Sequence, residues 1–226
     1  MAGTEVRAGR KAQGLTQANL AHKLGVSQGY VSLLETNQRR VPRRLAPRLV
    51  SLLRLPSSTL PVTSQTKPLP SERVAGTLGT LGYPGFAYLH HNRKLNPAEF
   101  LVRTLRRKNL DARLVEALPW VVVRNPKLDW KWLLPTAKQN DLQNRLGFVV
   151  TVARQLAERQ NEPAMATKLR KWEGVLEHSR LQQEDTFAGD TLTEAERRWL
   201  RENRPPEAAN WNLLTNVRVE TLSSAV

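Results

Sequence analysis

Four arginines fall within six residues at Arg39-Arg40-Val41-Pro42-Arg43-Arg44. A guanidinium group is a permanently charged planar fork that pairs well with phosphate oxygens. A loop built from this run can therefore track a sugar-phosphate backbone, a contact that sets affinity and register but not sequence preference. The competing reading is a solvated charge run. Arg103, Arg106, Arg107 and Lys108 form a second basic patch, expected on a helix, which either extends such a surface or simply faces water. Other residues that could do chemistry are placed for something plainer. His90-His91 cannot share a helix face, and no acid or histidine follows at metal-ligand spacing, so a surface loop is expected there. Glu184-Asp185 and the pair Glu194 and Glu196 suit helix capping or exposed faces. Gly76, Gly79, Gly82 and Gly85 recur every three residues, but prolines and aromatics interrupt any dinucleotide fingerprint. There is no phosphate-binding glycine loop of the Walker type. With no cysteine there is no disulfide, no thiolate metal site and no thiol nucleophile. No catalytic residue, metal or cofactor is expected, although carboxylates converging from distant parts of the chain remain open as an alternative.

The charge itself narrows the partner. The 226 residues carry a formal net charge of +15, and the pI is about 11.0. Such an excess favours a polyanion, either nucleic acid or an anionic membrane. Residues 1–70 hold eleven Lys and Arg against only Glu5 and Glu35, so the first third supplies more than half of the excess. No apolar run approaches the roughly 18 residues of a membrane span, and the first residues lack a signal-peptide core. Cytoplasmic residence is expected, associated with the nucleoid, with no membrane partner. The 40% hydrophobic content is enough for a folded core.

The elements that would position the arginines lie immediately before them. Residues 16–35, TQANLAHKLGVSQGYVSLLE, read as two short helices locked by a small apolar core. Thr16 and Ser27 are cap residues. Leu20, Ala21 and Leu24 form the inner face of the first helix, and Ala21 permits a close crossing. Gly25 supplies the left-handed residue of a tight turn, and Val26 plugs it. Val31 and Leu34 face inward, which turns Gln28, Gly29, Ser32 and Leu33 outward and leaves Tyr30 ambiguous. Two helices at a fixed angle, with polar side chains at the start of the second, are what major-groove docking requires.

The segment resembles the Cro and phage-repressor (XRE-type) helix-turn-helix family. The matching residues are Arg10, Gly14, Leu15, Thr16, Gln17, Leu20, Ala21, Leu24, Gly25, Val26, Ser27, Val31, Ser32, Glu35, Arg39 and Pro42. The resemblance implies a compact four- or five-helix, lambda-repressor-like DNA-binding domain. By it, Gln17 meets a phosphate, Gln28-Gly29-Tyr30 docks into the major groove with Gln28, Gly29 and Leu33 facing the bases, and Ser27 and Ser32 are counted with the DNA contacts. A glutamine can bond both edges of adenine, and Leu33 can meet a thymine methyl. Arg39, Arg40, Arg43 and Arg44 then follow the backbone. Arg10 and Glu35 match a structural ion pair of the family and are not counted as DNA contacts. Two residues depart from the pattern. Asn37 stands where glycine is usual, in a left-handed turn that asparagine tolerates. Pro47 falls early in the fourth helix, which must start late or bend.

Three parts are expected: residues 1–55 as the DNA-binding domain, a Pro/Ser/Thr-rich linker over 56–70, and a helical dimerisation or partner-binding domain over 71–226. The fold class is all-α. In the last part, Asn96-Pro97-Ala98-Glu99 and Thr193-Glu194-Ala195-Glu196 read as capping boxes. Asp129 and Asp141 read as caps. A long amphipathic helix follows Asp141, with Leu142, Leu146, Val149, Val150, Ala153 and Leu156 on one face, as a core helix or a dimer seam. Another runs from Pro163 to about Gln182, with Met165, Leu169, Trp172, Leu176 and Leu181 inward. Trp120–Val123 suits a short strand or a buried helical segment. All six tryptophans lie here, Trp120, Trp130, Trp132, Trp172, Trp199 and Trp211, either packing a core or lining a partner surface. This region resembles the helical part that follows such helix-turn-helices in bacterial regulators, some antitoxin-like. The combined expectation is a dimeric repressor on a pseudo-palindromic operator in double-stranded DNA, or an antitoxin autoregulating its operon and holding a toxin or other protein. A nucleic-acid enzyme and a DNA-localised scaffold are the alternatives.

Overall fold

Helix starts and stops in this chain are written in single residues, and the fold follows them. The computed structural model describes residues 1–63, 67–89, 94–187, 192–220 and 222. His90-His91 lies outside them. The described residues divide into two units, 1–63 with 94–96 and the remainder. Both are all-α, apart from a two-residue parallel pair in the second.

The first unit contains α1 (Gly3–Ala12), α2 (Gln17–Leu24), α3 (Gln28–Glu35) and α4 (Ala46–Leu52), then a 3-10 turn at Ser57–Thr59. The Glu5 carboxylate accepts the Ala2 N–H at 2.7 Å and so covers one orphan donor at the start of α1. Gly14 (φ 63°) and Gly25 (φ 70°) take the left-handed conformation after α1 and α2. Val6, Leu20, Ala21, Leu24, Val31, Leu49 and Leu53 form one buried cluster, drawing on all four helices. Pro47 resolves as a late start. The helix begins at Ala46, so the proline sits where its missing N–H has no intrahelical partner to lose. Beyond α4, Leu60 packs with Ala46 and Val50, and Asn96 donates its amide to the Ser58 and Leu60 carbonyls.

The second unit contains α5 (Ser71–Leu81), α6 (Pro97–Leu105), α7 (Ala112–Arg124), α8 (Trp130–Lys138), α9 (Gln143–Arg159), α10 (Pro163–Glu177), α11 (Glu194–Asn203) and α12 (Pro206–Asn210). The pair is β1 (Asp185–Thr186) with β2 (Leu213–Leu214). α9 is the central element and packs against α7, α8, α10 and α12. Every residue from Gln143 to Ala153 is buried, so the apolar face of this helix is covered by its own chain and is not a dimer seam. Burying each of Leu146, Phe148, Val149 and Val150 contributes about 1.5–3 kcal/mol. Of the buried polar side chains on the same helix, Asn144, Arg145 and Thr151 are hydrogen-bonded, while Gln143 Oε1 has no partner among the described residues. Asn144 exchanges bonds with both the N–H and the carbonyl of Leu181. Gly147 exists for Trp211, since a Cβ there would stand 2.4 Å from the indole. Trp211 is fully buried and donates Nε1–H to Thr151 Oγ1 at 2.8 Å.

Several local expectations change in three dimensions. Trp120–Val123 is helical, inside α7, where Pro119 costs one backbone bond but burial on both sides holds the helix. Asp129 caps α8 and Thr193 caps α11 in a full capping box. Asp141 does not cap. It takes φ 54° in the turn after α8, and Leu142 precedes the first residue of α9. α10 ends at Glu177, so Leu181 lies beyond it.

Candidate nucleic-acid interface

The turn between α2 and α3 fixes what the second helix shows to solvent. Thr16 Oγ1 accepts the Asn19 N–H at 3.0 Å, and Ser27 Oγ accepts the Tyr30 N–H at 3.2 Å, so both helices start where their cap residues stand. Val26 packs against the apolar cluster behind the turn. Arg48 adds a clamp that the sequence did not suggest. Its guanidinium donates to the Lys23 and Leu24 carbonyls, placing a cation at the negative end of α2.

α3 then buries one face and bares the other. Val31, Leu34 and Glu35 are 0%, 1% and 4% exposed, while Leu33 on the far side is 39% exposed. Ser27, Gln28 and Gly29 are exposed and Ser32 is half-buried. A Cβ at Gly29 would meet nothing within 4 Å, so the surface there is open. Tyr30 belongs to the outer side. Its ring lies under the Arg39 guanidinium, 4.9 Å from centroid to Cζ, a cation–π contact that holds both side chains.

The exit from α3 carries the arginines. The Arg39 N–H bonds to the Leu33 carbonyl at 3.0 Å. Asn37 occupies the left-handed turn at φ 60°, as its place in the family pattern requires, and its Oδ1 accepts the Gly3 N–H at 2.6 Å. Gly3 cannot carry a side chain, because a Cβ would lie 2.0 Å from the Leu34 carbonyl oxygen. Arg39, Arg40, Arg43 and Arg44 are all exposed, and among the described residues no carboxylate pairs with any of them.

Behind this surface sits a buried polar network. Arg10 Nε and Nη2 donate to the two oxygens of Glu35 at 2.6 and 3.1 Å, and Arg10 Nη1 donates to the Leu15 carbonyl at 2.6 Å. The pair is structural, as the resemblance implied. Gln17 belongs to it as well, since its Nε2 donates to Glu35 Oε2 at 3.0 Å and the residue is half-buried. That bond uses one of the two N–H groups of the amide expected to meet a phosphate. Burial would raise the Glu35 carboxyl, but the bonds from Arg10 and Gln17, with the charges of Arg10 and Arg7, hold it below the ordinary carboxylate range.

The second basic patch is used differently. α6 ends at Leu105, so Arg106, Arg107 and Lys108 lie beyond it and do not share a helical face with Arg103. Arg103 bonds Glu99 and the Lys67 carbonyl, Arg106 bonds Asn140, and Arg107 bonds the Leu69 carbonyl and Ser71. These three arginines staple chain segments together and present no free phosphate surface. The paired acids are likewise engaged: Glu184 with Arg201, Asp185 with Arg145, and Glu196 with the cap of α11. Among the described residues no group of three His, Asp or Glu could hold a metal ion. No helix among them is long and apolar enough to cross a membrane. Of the tryptophans, Trp120, Trp130 and Trp211 are buried and Trp132 and Trp172 are half-buried. Trp199 is 53% exposed, in an open groove with Phe187, Leu200, Leu214 and Val217.

Comparison with known proteins bears on the same segment. Residues 6–60 match a family model described as helix-turn-helix. No curated protein and no solved structure matches the chain. The bared face of α3 and the family match agree: residues 6–60 form a helix-turn-helix domain of the XRE type, which points to a DNA-binding regulator.

Proposed function

We propose that the chain is a sequence-specific, double-stranded DNA-binding transcriptional repressor. The observation that carries this reading is the outer face of α3, where Gln28, Gly29 and Leu33 are exposed and Ser32 half-buried, beside four arginines that pair with no carboxylate among the described residues. The side chains at the start of α3 read base edges in the major groove, and Arg40, Arg43 and Arg44 hold the flanking phosphates. Tyr30 and Arg39 act as a unit, the ring presenting the guanidinium. Ser27 caps α3 and lies at the protein–DNA boundary, and Gln17 steadies the helix from behind through Glu35.

One such module covers few base pairs, so the repressor acts as a homodimer on half-sites about 34 Å apart. The exposed indole of Trp199 supports a protein contact in the C-terminal unit, because exposed tryptophan is enriched at binding hot spots. Selection from a random duplex library tests the main claim. A short, two-fold symmetric motif is expected, and its footprint should vanish when Gln28, Ser32 and Leu33 are replaced by alanine. Recovery of no motif after repeated rounds would overturn sequence-specific binding. Sedimentation velocity on the DNA complex reads the number of copies, and one copy per site would remove the dimer.

A further inference from the structure

The C-terminal unit carries a second cationic surface that the helix-turn-helix does not use. It is assembled from three pieces of chain. Arg124 ends α7, Lys127 stands in the turn that follows, and Lys131 is at the start of α8. Lys168 and Lys171 come from α10. Two contacts bring the pieces together. Lys168 Nζ donates to the Pro126 carbonyl, tying α10 to the turn that holds Lys127. Trp172 of α10 stacks on Trp130 of α8, with centroids 5.0 Å apart and planes at 14°, which packs the start of α8, where Lys131 stands, against the part of α10 that carries Lys171.

All five cations are exposed. Among the described residues none of Arg124, Lys127, Lys131 and Lys171 pairs with a carboxylate, whereas the arginines at 103, 145, 154 and 201 all do. The acid within this stretch, Asp129, is occupied in capping α8. Like charges gathered on neighbouring elements repel one another, and a polyanion that neutralises them gains by releasing its own counterions.

We infer that this surface binds the phosphate backbone of duplex DNA, independently of the N-terminal module. The aromatic rings favour a duplex over a single strand. Single strands are held by stacking bases on open rings, and here the rings are already consumed. Trp130 is 5% exposed, and Trp172 lies against it with Lys171 over its ring at 5.8 Å. What remains accessible is charge, which reads backbone and not sequence.

The test uses the full chain and three variants: Lys127→Gln/Lys131→Gln/Lys171→Gln, the same positions changed to arginine, and Arg43→Gln/Arg44→Gln. Binding to a 30-base-pair random duplex, to a single strand of equal length and to vesicles containing phosphatidylserine is followed over a salt series. The glutamine variant should bind the duplex at least tenfold more weakly at low salt. Its plot of log affinity against log salt should flatten by about two to three units, since each lost phosphate contact removes about 0.9. The arginine variant should bind as the parent does. Arg43→Gln/Arg44→Gln should flatten the plot separately, so failure at one surface is told apart from failure at the other. An unchanged slope in the glutamine variant, with its melting temperature also unchanged, would overturn the inference. So would a loss confined to the single strand or to the vesicles.

Discussion

Replacing Arg10 by methionine should cost the N-terminal unit most of its stability while leaving every DNA-facing side chain in place. The Arg10 and Glu35 side chains are 11% and 1% exposed, and they meet through two bonds. Methionine preserves most of the arginine stem but leaves the Glu35 carboxylate buried with only the Gln17 amide. Removing one partner of a buried pair costs about 3–5 kcal/mol. Losing the bond to the Leu15 carbonyl adds about 1 kcal/mol. A module of about sixty residues is stable by roughly 3–9 kcal/mol, so the variant stands at the edge of unfolding. Arg10→Met/Glu35→Leu removes both charges, and apolar replacement of a whole pair is often near neutral. The double variant should therefore be more stable than Arg10→Met alone, by about 2 kcal/mol or more. Hydrogen exchange in the intact chain, read at the amides of Leu20, Val31 and Leu34, measures the opening of this unit. Tryptophan emission cannot, because all six tryptophans lie at position 120 or later. A loss below about 1 kcal/mol in Arg10→Met, or a double variant no better than the single, would refute the reasoning.

Acid should expose the same network. Arg10, Gln17 and Arg7 hold the folded Glu35 carboxyl below its ordinary range, so its contribution is present above the unfolded value of about 4.3 and disappears as pH falls through the lower folded value. The parent unit should lose stability below about pH 4, and Glu35→Gln should show a flatter profile there by circular dichroism; superimposable profiles would remove Glu35 as a cause. Gln28→Ala should reduce discrimination at one or two base positions by about 1–3 kcal/mol, and equal losses on selected and random duplexes would contradict that role. Arg43→Ala should weaken binding to all sequences and flatten the salt dependence by about one unit, which an unchanged slope would rule out. Gly147→Ala would place a methyl 2.4 Å from the Trp211 ring. It should cost about 1–3 kcal/mol by overpacking and shift the near-ultraviolet tryptophan signal. A parent-like melting curve would show that the α9–Trp211 contact yields freely.

The N-terminal module was legible because its instructions are local. Thr16, Gly25 and Ser27 each specify a backbone state within three residues of themselves, and Leu20, Leu24, Val31 and Leu34 then have only one way to meet. Tyr30 was not legible. Its orientation is decided by Arg39, nine residues on, and only a folded turn brings the two together. In the C-terminal unit the long-range term dominates. The apolar stripe after Asp141 was visible, but burial of α9 on all sides depends on α7, α10 and Trp211, which arrive from up to sixty residues away. Asp141 reads as a cap because aspartate is a good one. The turn leaving α8 asked instead for a left-handed residue, and that tertiary demand prevailed.

Arginine shows most clearly where sequence reasoning stops. The run at 39–44 and the patch at 103–108 look alike as strings of charge, yet one is free and the other is consumed. What separates them is the supply of unpaired acceptors nearby. α6 ends beside a descending chain whose Lys67 and Leu69 carbonyls lack partners, and Arg103 and Arg107 fill them. Arg145 does the same between α9 and β1, taking the Leu105 and Arg107 carbonyls with Asp185. A buried carbonyl without a donor costs about 1–3 kcal/mol, more than an exposed ion pair returns, so a folding chain draws its arginines inward wherever backbone acceptors are left over. After α3, Arg40, Arg43 and Arg44 are exposed and make no such bond among the described residues. Net charge therefore identifies a binding face only after the internal acceptors have been counted. Among the described residues, the exit of α3 and the turn and helices around Lys127 and Lys171 each hold several exposed cations that pair with no carboxylate.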